Sequence, residues 1–162
     1  MASKSLPRGL KVITLFLEQQ GIDFEIVEHD RTTTARAEAR AAGISPDHMA
    51  KTIALRDEAA YFLAIIPASQ RLDLDKTRSA LGASAELRFA TEDEMRSEFD
   101  VFEVGALAPL PEIVRTTEVV DERLLEPERI LFSGGDHTHG VLMDPHDLIQ
   151  IVQPKVADIC AR

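Results

Sequence analysis

Cysteine and unbroken apolar stretches are both scarce in this sequence, and each scarcity excludes a class of protein. The single cysteine, Cys160, excludes an internal disulfide and a cysteine-based zinc cluster. We expect it to be a half-exposed residue without a catalytic role, because reactive thiols need a fixed electropositive setting. No stretch approaches the roughly 20 apolar residues that a membrane helix requires, and the first residues lack the apolar core of a secretory signal. We therefore expect a cytoplasmic protein that does not interact with membranes.

Positive charge is also in short supply. The chain carries 18 lysines and arginines against 28 aspartates and glutamates, a formal net charge of -10. Contacts to phosphates supply most of the affinity for nucleic acids, so this balance excludes an extended nucleic-acid interface. A nucleic-acid ligand would have to be held over a small area or with the help of a partner. Acidic runs such as Glu92–Glu94 are typical of a solvated surface.

What remains is the composition of an ordinary globular protein. Apolar residues make up 44% and charged residues 28% of the 162 residues, which is typical of a chain that folds around one core. We find no internal repeat and no linker rich in proline, glycine or serine. The sequence therefore predicts one domain spanning residues 1–162.

Helix and strand patterns follow one another along the chain. Apolar spacing, capping residues and terminal glycines predict helices between Pro7 and Gly21, over Thr34–Ala42, from Asp73 to Leu81, after Thr91 and over Pro145–Val152. Short apolar runs predict strands at Phe24–Val27, Lys51–Leu55, Tyr61–Ile66, Glu86–Ala90, Glu118–Val120, Ile130–Phe132 and Val141–Met143. Several of these strands are joined as hairpins, and the helices do not alternate strictly with them. This arrangement predicts an α+β fold with a mixed sheet.

Familiar catalytic signatures are missing, and one weak metal pattern is present. There is no Gly-x-Ser-x-Gly, Gly-x-x-x-x-Gly-Lys or His-Glu-x-x-His segment. His137 and His139 would face the same way if a strand began at Asp136. Asp136, Asp144 and His146 could then complete a zinc or iron site, although no third ligand lies at a diagnostic spacing. A metal hydrolase is accordingly one hypothesis for function.

Two basic residues and one loop are further candidates for a site. Lys51 opens an apolar strand, where its stem can pack while the ammonium stays at the rim of a pocket. Arg71 follows the Pro67–Gln70 segment. Taken alone, each is typical of a surface residue at the end of a strand. The Val104–Pro111 stretch contains one glycine and two prolines, which predicts a shaped loop.

Read together and in order, these segments resemble the YbaK-type editing family. That family includes free-standing Cys-tRNA(Pro) and Ala-tRNA(Pro) deacylases and the editing insertion of bacterial prolyl-tRNA synthetases. The resemblance spans residues 21–155. The matching segments are Thr33-Thr34-Ala35, Met49–Ile53, Ile66–Leu74, Glu103–Pro109 with its Gly-x-x-x-Pro pattern, Val120-Asp121 and Phe132–His137.

The resemblance implies a fold and an activity. The fold would be a mixed sheet, partly closed like a barrel and surrounded by helices, with a pocket for the aminoacylated terminal adenosine of a tRNA. The activity would be hydrolysis of the ester that links a wrong amino acid to its tRNA, most directly a tRNA(Pro). The partners would be the aminoacylated acceptor end and an aminoacyl-tRNA synthetase, and no cofactor or metal is implied.

The resemblance also assigns roles to matching residues. Lys51 would hold the phosphate and ribose near the ester, as suits a compact cation. The Gly105–Pro109 loop would offer backbone amides to the substrate, and His137 would line the aminoacyl pocket. The remaining positions expected to bind substrate are Thr34, Thr52, Ser69, Arg71, Ala106, Leu107, Ala108, Pro109, Gly134, Gly135 and Asp136. No general base is implied, because the family's mechanism is substrate-assisted and depends on orientation.

Two features depart from the family pattern. Asp136 and His137 follow the Gly134-Gly135 turn where an arginine is common, which would place a carboxylate near the mouth of the pocket. Such a carboxylate would suit an ammonium group. The acidic net charge is the second departure. A non-catalytic module that keeps the fold and binds a small ligand or a protein is therefore the alternative to an editing enzyme.

Overall fold

The computed structural model of the protein describes residues 6–110 and 115–162. In the described part of the chain, the α-helices are Arg8–Gln19 (α1), Ala35–Ala41 (α2), Leu74–Leu81 (α3), Glu92–Glu98 (α4) and Pro145–Val152 (α5). The strands are Glu25–Glu28 (β1), Met49–Arg56 (β2), Tyr61–Pro67 (β3), Arg88–Phe89 (β4), Thr117–Asp121 (β5), Ile130–Ser133 (β6), His139–Met143 (β7) and Lys155–Ala157 (β8). Short 3-10 helices at Pro46–His48 and Glu122–Leu125 precede and follow strands.

The strands form one mixed sheet in the order β1-β7-β6-β2-β3-β5-β8, with β4 attached to β2. The pairs β1–β7, β6–β7, β2–β3 and β2–β4 are antiparallel. The pairs β2–β6, β3–β5 and β5–β8 are parallel. The expected α+β architecture with a mixed sheet is confirmed.

One edge of β2 is shared between two short partners. Its other edge pairs with β3 along the whole strand. On the shared edge, β6 pairs with Met49 and Ala50, and β4 pairs with Leu55 and Arg56. The Ala54 carbonyl accepts from the Ala90 amide just after β4 at 3.0 Å, and no described strand pairs with Lys51–Ile53 on this side. The sheet therefore has an opening in the middle of β2.

The backbone of Thr52 faces this opening. The amide of Ala68 donates to the Met49 carbonyl, and that of Asp57 to the Ala60 carbonyl, so the odd-numbered residues of β2 bond to β3. Backbone groups of successive strand residues point to opposite sides. The N–H and C=O of Thr52 consequently point away from β3 and into the gap.

Helices cover the sheet on both faces. On one face α1 contributes Leu10, Ile13 and Leu17, all fully buried, to the main core cluster. Burial of each such side chain stabilises the fold by about 1.5–3 kcal/mol. On the other face Leu81 at the end of α3 packs with Leu55 of β2 in a second cluster.

Local signals at the helix ends act as predicted. The Asp73 carboxylate accepts from the Lys76 amide at 3.0 Å, and Gly82 ends α3 with a φ of 66°. Thr91 and Glu94 form the reciprocal capping box that begins α4. The helix at Pro145–Val152 has the predicted bounds. The predicted strand at Glu86–Ala90 is reduced to Arg88–Phe89, because only these residues pair with β2.

The last residues differ from expectation. The sequence pattern missed β8, which gains its hydrogen bonds from β5 rather than from a local partner. Cys160 is 1% exposed, so the expected half-exposed position is wrong. The backbone of Cys160 pairs with that of Leu72 in an isolated antiparallel β-bridge, and the Cys160 carbonyl accepts from the Lys76 ammonium at 3.0 Å. These contacts hold the end of the chain in place. Pro111, at the end of the predicted loop, lies outside the described residues.

Candidate functional site

A cavity of about 350 Å³ lies at the opening in the edge of β2, and we call it the β2-edge cavity. Its walls come from β2, the start of α2, the end of β4, α4, the loop after α4 and the end of β6. The lining residues are Thr33, Thr34, Ala35, Lys51, Thr52, Ile53, Ala54, Phe89, Ala90, Met95, Gly105, Leu107 and Ser133. Among the described residues, Lys51 is the one charged residue in this lining.

Lys51 lies on β2 opposite Ile66 of β3 and is exposed. None of the ion pairs among the described residues involves it. In a chain with a net charge of -10, a cation that has no carboxylate partner among the described residues is available to an anionic ligand. The cavity therefore offers one positive charge inside a largely apolar and hydroxyl-bearing wall.

Thr52 gives the cavity wall an unused hydroxyl. Its Oγ1 atom is buried and has no hydrogen-bond partner in the described part of the protein. A buried polar group without a partner costs about 1–3 kcal/mol, so its presence needs an explanation. The neighbouring Thr34 differs, because its hydroxyl accepts from the Ala37 amide at 3.1 Å and caps α2.

The Gly105 loop forms the wall opposite β2. Gly105 has a φ of 86°, a conformation that glycine adopts without strain. The Ala106 amide donates to the Glu103 carbonyl at 3.0 Å, which closes a turn. No described residue accepts a hydrogen bond from the amides of Gly105 and Leu107. These two residues line the cavity.

His137 lies behind this loop and does not line the cavity. Its Nε2 lies 2.9 Å from the Val104 carbonyl oxygen, which can only accept, so Nε2 carries a proton and donates. The ring also lies under Gly105, where an added Cβ would be 3.4 Å from Cε1. The imidazole therefore supports the loop from outside the β2-edge cavity, whereas the family resemblance implies that it would line the aminoacyl pocket.

The rim formed by β4 is fixed by an ionic cluster. The Glu94 carboxylate accepts from Arg88 at 2.7 Å, from Arg56 at 2.5 Å and from the Thr91 amide at 2.9 Å. Hydrogen bonds from Arg88, then from the Thr91 amide and Arg56, hold the pKa of Glu94 well below its ordinary value. The cluster ties β4 to both β2 and α4. It thereby holds Phe89, which is 54% exposed, at the mouth of the cavity.

Ser133 at the end of β6 connects the cavity to a buried polar chain. Its hydroxyl donates to Glu38 Oε1 at 2.6 Å, and Glu38 Oε2 lies 3.1 Å from His29 Nε2. The sequence interpretation did not single out Ser133, Phe89, Met95 or Glu38. Ser133 stands inside the matching Phe132–His137 segment, whereas Glu38 on an alanine-rich helix carries no sequence signal of burial.

Several residues expected to bind substrate lie outside the β2-edge cavity. The Ser69 hydroxyl bonds to Asp47, and Arg36 holds the Ser69 carbonyl at 3.0 Å, so this turn is tied to α2. The Arg71 side chain is exposed away from the lining, and its carbonyl accepts from Ala161 at 2.7 Å. Ala106, Ala108 and Pro109 are buried within the loop.

The glycine turn after β6 packs against helix α1. An added Cβ on Gly135 would lie 3.0 Å from Gly9, and one on Gly134 would lie 3.0 Å from the His139 carbonyl oxygen. Close approach of two backbones therefore explains both glycines. Asp136 is buried, and its carboxylate bonds to Thr138 and to His139 Nδ1 at 3.0 Å. It is occupied by these neighbours and does not reach the mouth of the cavity.

The geometry does not favour the metal hypothesis. β7 begins at His139 and not at Asp136, so His137 is not on the strand. His139 bonds to Asp136, whereas His146 bonds to Asp144 at 3.1 Å. Among residues 6–110 and 115–162, no three side chains of the metal-binding types come together.

A larger hollow of about 660 Å³ lies elsewhere, between the start of β1 and the start of α5. Five carboxylates line it, from Asp23, Glu126, Glu128, Asp144 and Asp147. This charge opposes an anionic ligand. In the part of the chain that the structure covers, no helix combines the length and apolar character needed to cross a membrane.

Comparison with known proteins agrees with this architecture. A family model described as an aminoacyl-tRNA editing domain matches residues 29–151, and the chain belongs to this family. The match includes every residue that lines the β2-edge cavity.

Solved structures share the fold over nearly the whole chain. A candidate trans-editing enzyme for prolyl-tRNA synthetase is 26% identical, with a TM-score of 0.86 over 98% of this chain and 100% of that one. A scaffold protein for presenting linear epitopes is 22% identical, with a TM-score of 0.85 over 97% and 99% of the two chains. A candidate signal transduction protein from Marinobacter aquaeolei VT8 is 21% identical, with a TM-score of 0.70. The match covers 98% of this chain and 31% of that longer chain.

Proposed function

We propose that the protein is a trans-editing deacylase that hydrolyses the ester of a mischarged tRNA of the tRNA(Pro) type. The observation that carries the proposal is the lining of the β2-edge cavity, where Lys51 is the one charged side chain among the described residues of a chain of net charge -10. A tRNA end brings phosphate oxygens to such a cation. Membership of the aminoacyl-tRNA editing domain family gives the reaction class.

In this proposal Lys51 holds the phosphate and ribose of the terminal adenosine. The amides of Gly105 and Leu107 then face the ester carbonyl and stabilise the negative charge that develops on its oxygen. Water adds to the carbonyl carbon, and the bond from that carbon to the ribose oxygen breaks. The proton from water ends on the ribose oxygen, which gives a free amino acid and a tRNA hydroxyl.

The described part of the lining holds no side chain suited to general acid or base catalysis near neutral pH. Its residues include no histidine, cysteine, aspartate or glutamate, and their polar side chains other than Lys51 are hydroxyls. Catalysis would accordingly come from holding the ester and its attacking group in place. For a cysteinyl substrate, that group can be the substrate's own thiol.

Phe89 offers a surface for the base. A phenylalanine that is 54% exposed at the mouth of a cavity leaves apolar area in water. Stacking of a nucleobase on an aromatic ring contributes about 1–3 kcal/mol and tolerates any base. We assign Phe89 to the terminal adenine or its neighbour, with the ribose between the base and Lys51.

The acidic surface limits the proposed contact to the acceptor end. The rest of the tRNA would approach a surface whose net charge repels phosphates, so affinity for the tRNA body must be small. A synthetase that holds the tRNA body would compensate. We therefore propose a synthetase of the prolyl type as the partner in editing.

The direct test is a deacylation assay with purified protein and Ala-, Cys- and Ser-tRNA(Pro). We expect hydrolysis of at least one of them and a loss of about 100-fold or more in Lys51→Ala, since oriented electrostatic contacts of this kind contribute factors of that order. Lys11→Ala, which removes an exposed lysine of α1, is the matched control and should retain full activity. Hydrolysis of none of the three, or equal rates for the two lysine variants, would contradict the proposal.

The second candidate function is a non-catalytic module that binds the same ligand. The observation that favours it is that no acid or base stands among the cavity-lining residues that the structure describes. Binding can be measured by calorimetry with 3′-aminoacylamino-3′-deoxyadenosine, whose amide bond resists hydrolysis. Binding of this analogue by a protein that cleaves no ester would select the binding module.

A further inference from the structure

We propose that Glu38 and His29 are positioning residues that turn the Ser133 hydroxyl oxygen into a fixed hydrogen-bond acceptor in the β2-edge cavity. The ligand group that it would accept from is a donor on the aminoacyl-adenosine end, either the α-ammonium or a ribose hydroxyl. This inference rests on the proposed deacylase function and adds to it a polar contact to the substrate.

Three buried side chains form the proposed chain. Ser133 lines the cavity, and its Oγ lies 2.6 Å from Glu38 Oε1. Glu38 Oε2 lies 3.1 Å from His29 Nε2, and His29 Nδ1 lies 2.7 Å from the Asp30 carbonyl oxygen. The side chains of His29 and Glu38 are only 1% and 4% exposed. Water is therefore excluded behind Ser133, and the protons in the chain are set by the protein.

The Asp30 carbonyl determines which ring nitrogen of His29 carries a proton. A carbonyl oxygen only accepts, so the proton of this short contact lies on His29 Nδ1. Nε2 is then either a donor to the Glu38 carboxylate or an acceptor from the protonated Glu38 acid. In both forms a single proton lies between Nε2 and Oε2. Burial raises the pKa of Glu38, which favours the form in which the proton lies on the acid.

Oε1 is an acceptor in either form. It is a carboxylate oxygen when Glu38 is ionised, and the carbonyl oxygen of the acid when the proton lies on Oε2. The Ser133 proton therefore points to Glu38 whichever form is present. A hydroxyl has one proton and two lone pairs, so the side of Oγ that faces the cavity can only accept.

An acceptor at this position complements the rest of the cavity wall. The Lys51 ammonium and the amides of Gly105 and Leu107 are donors, suited to phosphate and carbonyl oxygens. The α-ammonium and the ribose hydroxyl are the donors that an aminoacyl-adenosine carries. Because Glu38 touches Ser133 and not the cavity, it would act on the substrate only through that hydroxyl.

The test compares deacylation by the wild type, Ser133→Ala, Glu38→Gln, Glu38→Met and the double variant Ser133→Ala/Glu38→Met. Glutamine keeps the acceptor for Ser133 and can donate from its amide to the unprotonated His29 Nε2, so kcat/KM should stay within about threefold of the wild type. Methionine has a similar length but frees the hydroxyl to rotate. We expect Glu38→Met and Ser133→Ala each to lose about 10- to 100-fold in kcat/KM. Loss of one hydrogen bond to a charged group has an effect of this size.

The double variant separates a positioning role from a structural one. If Glu38 acts through Ser133, the double variant should be no slower than Ser133→Ala alone, whereas independent losses would multiply. Unfolding of every variant is followed by circular dichroism. If Glu38→Met does not fold, the double variant Glu38→Gln/Ser133→Ala is compared with Ser133→Ala instead. We expect these two variants to have equal rates.

Two altered substrates identify the donor. One has a hydrogen atom in place of the α-amine, and the other lacks the ribose 2′-hydroxyl of the terminal adenosine. The effect of Ser133→Ala should fall to less than about threefold with the substrate that lacks the relevant donor. Persistence of the full effect with both substrates would overturn the inference.

Other results overturn the inference while leaving the proposed deacylase in place. These are wild-type rates in Ser133→Ala, multiplied losses in the double variant, or inactivation of Ser133→Ala by more than about 1,000-fold, which would mark a nucleophile. Failure of the proposed function looks different. In that case the wild type deacylates none of the three tRNAs, whether or not it binds the amide analogue, and both proposals fall together.

Discussion

Glu118 provides a stability test that is independent of the site. It lies on β5 opposite Leu63 of β3, on the face shared with Val120 in the main core cluster. Glu118 is 2% exposed, and neither carboxyl oxygen has a hydrogen-bond partner among the described residues. Burial raises its pKa well above the ordinary value. The side chain is thus an unsatisfied polar group in an apolar layer.

Replacing Glu118 with leucine should stabilise the protein. Removing a buried polar group that lacks a partner recovers about 1–3 kcal/mol, and each kcal/mol raises the Tm of a chain of this size by about 2–4 °C. Glu118→Gln is the control that keeps the shape and removes the titration. It should differ little from the wild type at low pH, where the wild-type acid is neutral.

The gain should depend on pH in a defined direction. A carboxyl whose pKa is higher in the folded than in the unfolded state contributes stability that is fully present below the unfolded pKa, about 4.3. That contribution is lost as the pH rises through the folded pKa, at up to about 1.4 kcal/mol per pH unit. The advantage of Glu118→Leu over the wild type should therefore grow from pH 4 upward.

Urea unfolding followed by circular dichroism between pH 4 and pH 8 measures both effects. Parallel profiles for the wild type and Glu118→Gln would show that the carboxyl does not titrate in this range. A lower stability of Glu118→Leu at every pH would refute the reasoning, since it would mean that the carboxyl is satisfied in the folded protein.

Three further predictions concern single residues. Burial, followed by the hydrogen bond to Asp121, raises the pKa of Cys160 to about 12. A thiol reagent at pH 8 should therefore label the protein only after unfolding in guanidinium. Prompt labelling of the native protein would contradict the buried position of Cys160. Thr52→Val should stabilise the free protein by about 1 kcal/mol yet weaken binding of the amide analogue in calorimetry; an unchanged affinity would remove Thr52 from the site. Gly105→Ala should cost about 1 kcal/mol or more in stability, because alanine is strained at a φ of 86°, and should slow deacylation, so a variant with wild-type kinetics would exclude the loop from the reaction.

Local chemistry explains which elements could be predicted from the sequence. The α1 and α5 helices carry their own apolar periodicity, and α3 and α4 begin at capping residues that satisfy their free amides. β4 and β8 lack such signals. Two or three residues become a strand only because β2 or β5 passes beside them, and a single sequence does not show that proximity.

The candidate site divides in the same way. The sequence motifs indicated Lys51 and Gly105, and the structure places both on one cavity. They could not show that His137 turns toward the Val104 carbonyl. Glu38 was missed because a glutamate on an alanine-rich helix is ordinarily solvated. Its partner Ser133 is 95 residues away in the chain, so the buried chain exists only in the folded protein.

The central claim is that the aminoacyl-adenosine end binds in the β2-edge cavity. Two-dimensional NMR titration of the labelled protein with 3′-aminoacylamino-3′-deoxyadenosine tests it directly. We predict the largest amide shifts at Thr52, Gly105 and Leu107, with little change around the acidic hollow at Glu126 and Asp144. Shifts that cluster at the acidic hollow, or none at saturating analogue, would contradict the claim.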